Sequence, residues 1–402
     1  MNDIIPYGRQ NIDRTDIKNV ISILKSDFLT QGPAVGAFEK AFSEYIGCKY
    51  SVAVANGTAA LHLCAMALNV KPGDKVIVPP ISFAASANCV KYCGGDVVFS
   101  DIDASTLTLD IEKVRTLLKS APMGTYQGII PVDFGGHPVQ MDAFRTLAEE
   151  YGMWIIEDAC HAPGGYYTDA KGEKQMAGNG KYADLAIFSF HPVKHIAAGE
   201  GGMITTNDEA LYKRLLTLRT HGITRDQSVF KNSIAEVGGD PTTGQYPGWY
   251  MEMQELGYNY RLTDFQAALG QSQLERADSG MEKRLAIAAK YEAAFSTIKG
   301  IHSTYVKNPS GEKFRNGHHL YIIEVADRLG LYNYLRSKNI LAQIHYYPIH
   351  LMPYYRALGS KPGDMPVAEN YYAHCISLPM YPSLKDEEQA YVIDCIIKYI
   401  NE

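Results

Sequence analysis

Across residues 50–190 short apolar runs alternate with helix-length segments, and no other feature of the chain limits its fold as tightly. The pattern predicts strands over 50–55, 75–79, 97–99, 127–132, 153–157 and 184–190. Between them it predicts helices over 58–68, 83–92, 110–118 and 141–151. Near-continuous apolar strands separated by helices are buried on both faces, which describes a mostly parallel, doubly wound α/β sheet. Two helices precede it. Asp13 caps one over 13–25 that places Ile17, Val20, Ile21 and Leu24 on a single face, and a second over 37–46 stops at Gly47.

The chain changes character after His221. Residues 221–257 are rich in Gly, Pro, Thr and Tyr, including GGDPTTGQYPGWY, which predicts a long loop or flap of the kind that often carries function. Helical patterns over 262–273, 281–294, 329–338 and 387–398 and strands over 319–325 and 340–345 then suggest a smaller α+β domain. The division falls at 256/257, with the amino-terminal segment and large domain over 1–256 and the small domain over 257–402.

A formal net charge of −6 leaves no basic footprint for nucleic acid. No run of ~18 apolar residues is present and the start lacks a basic, apolar leader, so a cytoplasmic protein that neither spans nor binds a membrane is expected. Seven scattered cysteines without a Cys-x-x-Cys spacing indicate neither a disulfide framework nor a zinc site.

One lysine, Lys194, stands in DLAIFSFHPVKHIAAGEGG, just past a buried strand. A partly desolvated amine there has a lowered pKa and is free to attack a carbonyl, as a Schiff-base lysine does; the same position also suits a lysine that snorkels to solvent. Three further groups give it context. Asn56-Gly57-Thr58 opens a helix after a strand, where small residues leave free amides for an anion, or simply cap the helix. Asp158 ends the strand of WIIED, where open α/β sheets bind ligands and a carboxylate holds a pyridine nitrogen protonated, or caps a turn. Ser189 adds a hydroxyl that serves a phosphate or its own backbone. Phosphate cradle, ring carboxylate and amine together describe a pyridoxal 5'-phosphate site. Neither G-x-G-x-x-G nor G-x-x-x-x-G-K-[ST] occurs, which weakens dehydrogenase and P-loop readings.

The segments LTQGPAVGAFE, NGTAALHL, VPPISFAASAN, EDACHAPGG, SFHPVK, LRTHGI, GYNYRLTDFQAALG and HYYPIH resemble the DegT/DnrJ/EryC1/StrS sugar-nucleotide aminotransferases, a group with the fold type I of pyridoxal phosphate enzymes (aspartate aminotransferase-like). The resemblance runs from Pro6 to Pro382. It implies that Lys194 forms the Schiff base and then moves protons, and that Asp158 partners the ring nitrogen. It further implies that His161 lies by the phenolic oxygen, that Phe83 stacks on the ring, and that Gly57, Thr58 and Ser189 contact the phosphate. By residue type alone Phe83 reads as core. Asn259 would reach the phosphate of a neighbouring subunit, making the working unit a homodimer with shared sites; without the resemblance it reads as a turn residue. Tyr7, Thr30, His319 and Tyr321 lie in motifs that line the sugar-nucleotide pocket of the group, with His345 and Tyr346 near it.

Within the group, IPYGRQ, FSFHPVK, WYMEMQELGYNYRLTDFQAALGQSQL and ISLPMYPSL resemble the 4-aminotransferases of pseudaminic acid biosynthesis, which supply glycan and flagellin modification. That likeness implies L-glutamate as donor and a UDP-linked 4-keto-6-deoxy-N-acetylhexosamine as acceptor, whose diphosphate calls for Lys or Arg. Other nucleotide-linked 4-keto sugars, a dehydratase or lyase of the same fold, and a non-catalytic relative are the alternatives. In the dehydrating branch histidine replaces the lysine; Lys194 argues against it.

Overall fold

The computed structural model describes residues 4–304 and 313–402. Helices α1 (Arg14–Leu24) and α2 (Pro33–Ile46) lead into β1 (Tyr50–Val54) and α3 (Gly57–Ala67). The alternation continues through β2 (Lys75–Val78), α4 (Ala85–Tyr92), β3 (Asp96–Phe99), α5 (Ile111–Lys119), β4 (Gly128–Ile129), α6 (Met141–Tyr151), β5 (Trp154–Asp158), β6 (Leu185–Ser189), β7 (Gly202–Thr206) and α7 (Glu209–Arg219). These strands form one seven-stranded sheet in the order β1-β7-β6-β5-β4-β2-β3. Adjacent strands from β6 to β3 pair in parallel, whereas β7 runs antiparallel to both neighbours.

The alternating pattern predicted every parallel strand but not β7. Its short GMITT run follows a glycine cluster, and it returns directly beside β6 without a crossover helix. Gly202 is required where it enters: a Cβ there would stand 2.6 Å from the Asn56 carbonyl oxygen and 3.0 Å from the Gly57 nitrogen. Almost every residue of α3 is buried between the sheet and α4, which explains its lack of a polar face.

Helix α1 is present as predicted, but its packing is reversed. Ile17 and Leu24 are 52% and 57% exposed, and the residue it buries is Asp16. The reason lies in α8 (Asp264–Leu274). Asp16 accepts from Ser272 Oγ at 2.6 Å, from Gln273 Nε2 at 2.7 Å and, just beyond α8, from Arg276 Nη2 at 2.5 Å, so a polar contact and not the apolar stripe docks α1.

Residues 223–253 leave the body as an excursion closed by a two-stranded pairing of Ile223–Thr224 with Glu252–Met253, and Phe230, Tyr246 and Tyr250 pack edge-on or stacked inside it. Beyond α8, helix α9 (Ala277–Phe295), β8 (Tyr321–Glu324), α10 (Arg328–Ser337), β9 (Cys375–Leu378) and α11 (Asp386–Asn401) build a second core around Ile287, Tyr291, Ile323, Leu335 and Ile396. Strands β8 and β9 pair antiparallel. Leu262, Ala267 and Leu274 instead share a core with Phe38 of α2 and Phe188 of β6, and Ile5 joins the second core, where Ile5–Pro6 pairs with Ile340–Leu341. We therefore propose moving the domain division from 256/257 into α9 and assigning the amino-terminal strand to the small domain.

Candidate active site

The strand ends converge on a cavity of about 590 Å³. Asn56 follows β1, Ser82 follows β2, Val132 follows β4, and Asp158 and Ser189 are the last residues of β5 and β6. This is the carboxyl edge of the parallel strands, where an open α/β sheet offers its loops to a ligand.

Lys194 lies in the turn after β6. Buried Phe190 on one side and Ile196 and Ala198 on the other anchor that turn, and the Lys194 amide donates to the His191 carbonyl at 2.8 Å. Its Nζ is 3.5 Å from His319 Nε2. Burial pushes the Lys194 ammonium below its usual range; Cys160 and Asp158 oppose that shift and the Arg284 guanidinium adds to it.

Asp158 is 5% exposed. Its carboxylate accepts from Ser86 Oγ at 2.7 Å and from the Cys160 amide at 3.2 Å, and Ser86 Oγ is in turn 2.7 Å from Ser82 Oγ. Glu157, the preceding residue of β5, is buried beside Asp133. Burial first, and the neighbouring carboxyl second in the case of Asp133, raise both acids, with Glu157 pushed up to about 7. Two carboxyls so placed hold a proton between them.

The start of α3 closes the floor. Asn56 caps it, its Oδ1 accepting from the Ala59 amide at 2.8 Å, which leaves the first-turn amides of Gly57 and Thr58 at the cavity. A Cβ on Gly57 would meet Ser189 Cβ at 3.1 Å and the Cys160 sulfur at 3.6 Å, so a side chain at this position would crowd the cradle.

The opposite wall comes from elsewhere. Tyr7, Gln343, His345 and Tyr346 line it, with the Tyr7 and His345 rings 5.3 Å apart. His345 Nδ1 is 2.9 Å from Ser377 Oγ, and burial lowers its pKa to about 3. His161 Nδ1 accepts from the Gly135 amide at 3.2 Å, so the neutral ring carries its proton on Nε2. Burial and then Lys194 push its pKa far down, and it stacks on His319 at 4.2 Å. Phe83 is 62% exposed at the mouth, with the Tyr346 ring edge-on to it at 6.3 Å.

Eight of the predicted residues thus line one cavity: Tyr7, Gly57, Thr58, Phe83, Asp158, His161, Ser189 and Lys194. His319 stands directly behind Lys194. Three are not brought there. Tyr321 is 2% exposed in the second core, its hydroxyl 3.1 Å from Glu292 and its ring 4.9 Å from Tyr291, because β8 turns it toward α9. Thr30 and Asn259 are exposed on a different face, bridged to Thr263 and Thr220. Among the described lining residues Lys194 is the only lysine or arginine, and none of them is a second basic partner for a diphosphate. Sequence reasoning missed Ser86 and Gln343. A signal for Ser86 existed: in ISFAASAN it enters a helix one turn after Ser82, facing the same way.

An anion cradle at a helix start, an exposed aromatic platform, a carboxylate held by two donors and a desolvated amine fit the phosphate, ring and aldehyde of pyridoxal phosphate. The comparisons agree. The DegT/DnrJ/EryC1/StrS aminotransferase family matches residues 10–397. The spore coat polysaccharide biosynthesis protein SpsC of Bacillus subtilis is 36% identical, covering 98% of this chain and 97% of its own. The UDP-4-amino-4,6-dideoxy-N-acetyl-beta-L-altrosamine transaminase of Campylobacter jejuni is 34% identical over 99% and 98%. Among solved structures, Helicobacter pylori PseC, an aminotransferase of pseudaminic acid biosynthesis, superimposes with a TM-score of 0.85 at 27% identity, covering 99% of this chain and all of that one. The pyridoxal phosphate form of a sugar aminotransferase from Streptococcus pneumoniae, Spr1654, gives 0.84 at 28% identity, over 99% and 98%.

Proposed function

The chain belongs to the DegT/DnrJ/EryC1/StrS aminotransferase family of pyridoxal phosphate enzymes, and from that premise we propose its reaction: the amino group of L-glutamate passes to C4 of UDP-2-acetamido-2,6-dideoxy-β-L-arabino-hex-4-ulose. The product is UDP-4-amino-4,6-dideoxy-N-acetyl-β-L-altrosamine, a precursor of pseudaminic acid. The observation that carries a transamination is the meeting of Lys194, Asp158 and the Gly57–Ser189 cradle in one cavity.

Bound pyridoxal phosphate supplies an electron sink. The chain's residues do the rest. Asp158, oriented by Ser86, holds a proton on the ring nitrogen. The α3 amides and Ser189 bind the phosphate, and Phe83 supports the ring. Lys194, its amine favoured by burial, would be the base that takes a proton from and returns it to the amine-bearing carbon. His161, with its proton on Nε2, would be the donor to the ring's phenolic oxygen.

The missing cation supports a site completed by a second copy. Asn259 and Thr30 are exposed near Arg261, whose buried Nε has no hydrogen-bond partner among the described residues, and α1 offers an uncovered apolar face. We read this as a homodimer whose Asn259 serves the opposite cleft. Co-expressed Lys194→Ala and Asn259→Ala chains should then form partly active mixed dimers, and inactivity of the mixture would sink the shared site.

The higher identity to a spore coat polysaccharide protein than to the altrosamine transaminase favours one second reading, transfer to C4 of another nucleotide-linked 4-keto-6-deoxy sugar. One assay separates them. The purified protein is given glutamate and the UDP-4-keto sugar, and the product's NMR couplings are read. A 4-amino altrosamine supports the first reading, and no product from this sugar but turnover of another supports the second.

A further inference from the structure

Arg284, on α9, is a buried cation that no carboxylate offsets among the described residues. It is 1% exposed. Its Nη1 donates to the carbonyl oxygens of His318 at 3.1 Å, His319 at 3.4 Å and Met380 at 3.1 Å, and its Nε has no hydrogen-bond partner among the described residues. Neutral carbonyls stabilise a guanidinium without cancelling its charge, and an isolated buried charge is costly. Burial lowers the Arg284 pKa only to about 10, so the group stays charged at neutral pH.

The three acceptors lead to the cleft. His319 Nε2 is 3.5 Å from Lys194 Nζ. His318 holds a left-handed backbone, φ 45°, that a side-chain-bearing residue keeps only when its surroundings enforce it. The Met380 amide donates to the Tyr7 carbonyl at 2.9 Å, tying the third acceptor to the wall strand. The groups facing Arg284, His195, His318 and His319, are neutral by burial. Those facing Lys194 are Asp158, Cys160, His161, His195, His319 and His345, of which the histidines and the thiol are uncharged. Burial is the main influence on the Lys194 amine; of the groups around it Cys160 and Asp158 favour the ammonium and Arg284 disfavours it, while Glu200 lines the same cavity.

We propose that Arg284 is a positioning residue: its guanidinium, which no carboxylate offsets among the described residues, holds His319 against Lys194 and disfavours a second positive charge on Nζ. Asp158 pulls the other way. This rests on Lys194 being the reactive amine of the proposed transamination.

The test is the pH dependence of Lys194 acylation by acetic anhydride in the full-length protein stripped of cofactor, followed by peptide mass spectrometry. Removing the charge in Arg284→Gln should move half-labelling up by about one pH unit, and Arg284→Lys, which keeps the charge, should restore the wild-type value. A folded Arg284→Gln protein that labels as wild type does would overturn the proposal. If that variant does not fold, the neutral Arg284→Met, closer in shape to the buried side chain, decides: an upward shift of the midpoint supports the electrostatic role, and a wild-type midpoint sinks it. Failure of the functional reading looks different, since borohydride reduction of the holoprotein would then tag a lysine other than Lys194 and leave the labelling midpoints where they are.

Discussion

The wall that carries Lys194, Asp158 and the α3 amides grows out of one sheet, whereas the wall facing it joins the two ends of the chain: Tyr7 near the start, and His319 and the 343–346 segment about 300 residues later, with Arg284 behind them. The sheet wall presents charge and hydrogen-bond donors, such as the Asp158 carboxylate under Ser86 and the open amides of Gly57 and Thr58. The facing wall presents buried, neutral histidines, and His319 meets His161 of the sheet wall with ring centroids 4.2 Å apart. The two walls divide the work: the proposed proton-handling groups, Asp158 and Lys194, stand at or just past strand ends, and the buried groups facing them come from distant parts of the chain.

The largest blow to this contrast is on the sheet wall. Lys194→Arg should lower turnover by about a thousandfold or more, since a guanidinium is neither a nucleophile nor a base at working pH. The same variant should lose the visible band of lysine-bound pyridoxal phosphate; a normal rate with a normal spectrum would end the assignment. Asp158→Asn should still bind the cofactor but slow the half-reaction with glutamate by roughly a hundredfold to a thousandfold, as loss of a preorganised charge does. Stopped-flow spectra measure it, and a slowing below about fivefold would remove Asp158 from the ring nitrogen.

A third experiment weighs the walls against each other through pH. Six buried histidines are held neutral, His161, His195 and His319 far below the usual value, His318 and His345 at about 3, and His137 at about 4. The unfolded chain protonates them near its ordinary pKa and the folded chain does not, so they withdraw stability as pH falls below about 6.5. Glu157, pushed up to about 7, works the other way between 4.5 and 7, because the folded chain keeps that proton, and Asp133 acts likewise. Histidines outnumber these acids, so the urea midpoint should be lower at pH 5 than at pH 7, by an amount on the order of several kcal/mol in unfolding free energy. A midpoint that rises toward pH 5 would show the acid pair outweighing the histidine layer.

The smallest expected effect is at Ser86. Ser86→Ala removes one of two donors to Asp158 and should cost about tenfold in kcat/KM, from roughly 1–2 kcal/mol for a lost hydrogen bond to a charged group. Equal activity in the variant would mean that the Cys160 amide orients the carboxylate by itself.

Much of the first wall was legible before any coordinates. Strands buried on both faces appear in the sequence as apolar runs, so Asp158 and Ser189 near strand ends and Gly57 at a helix start follow from local pattern, while the sheet order and the two-residue length of β4 do not. Helix α1 shows the limit of that reading. Its apolar stripe is plain in the sequence, yet Ile17 and Leu24 face outward because Asp16 found Ser272, Gln273 and Arg276. Strand β7 was missed because its entry among the parallel strands depends on a close approach that only Gly202 permits.

The doubly wound sheet, the family, and the candidate lysine, carboxylate and cradle that meet in one cavity were readable from local pattern, because each rests on residues near one another in the chain. Only the tertiary structure decided that Tyr321 belongs to a core, that Thr30 and Asn259 lie outside this chain's cleft, and that Arg284 stands unpaired behind His319. Those outcomes depend on contacts across long stretches of chain and on the loss of water around buried charge, and neither burial nor desolvation is written in local spacing.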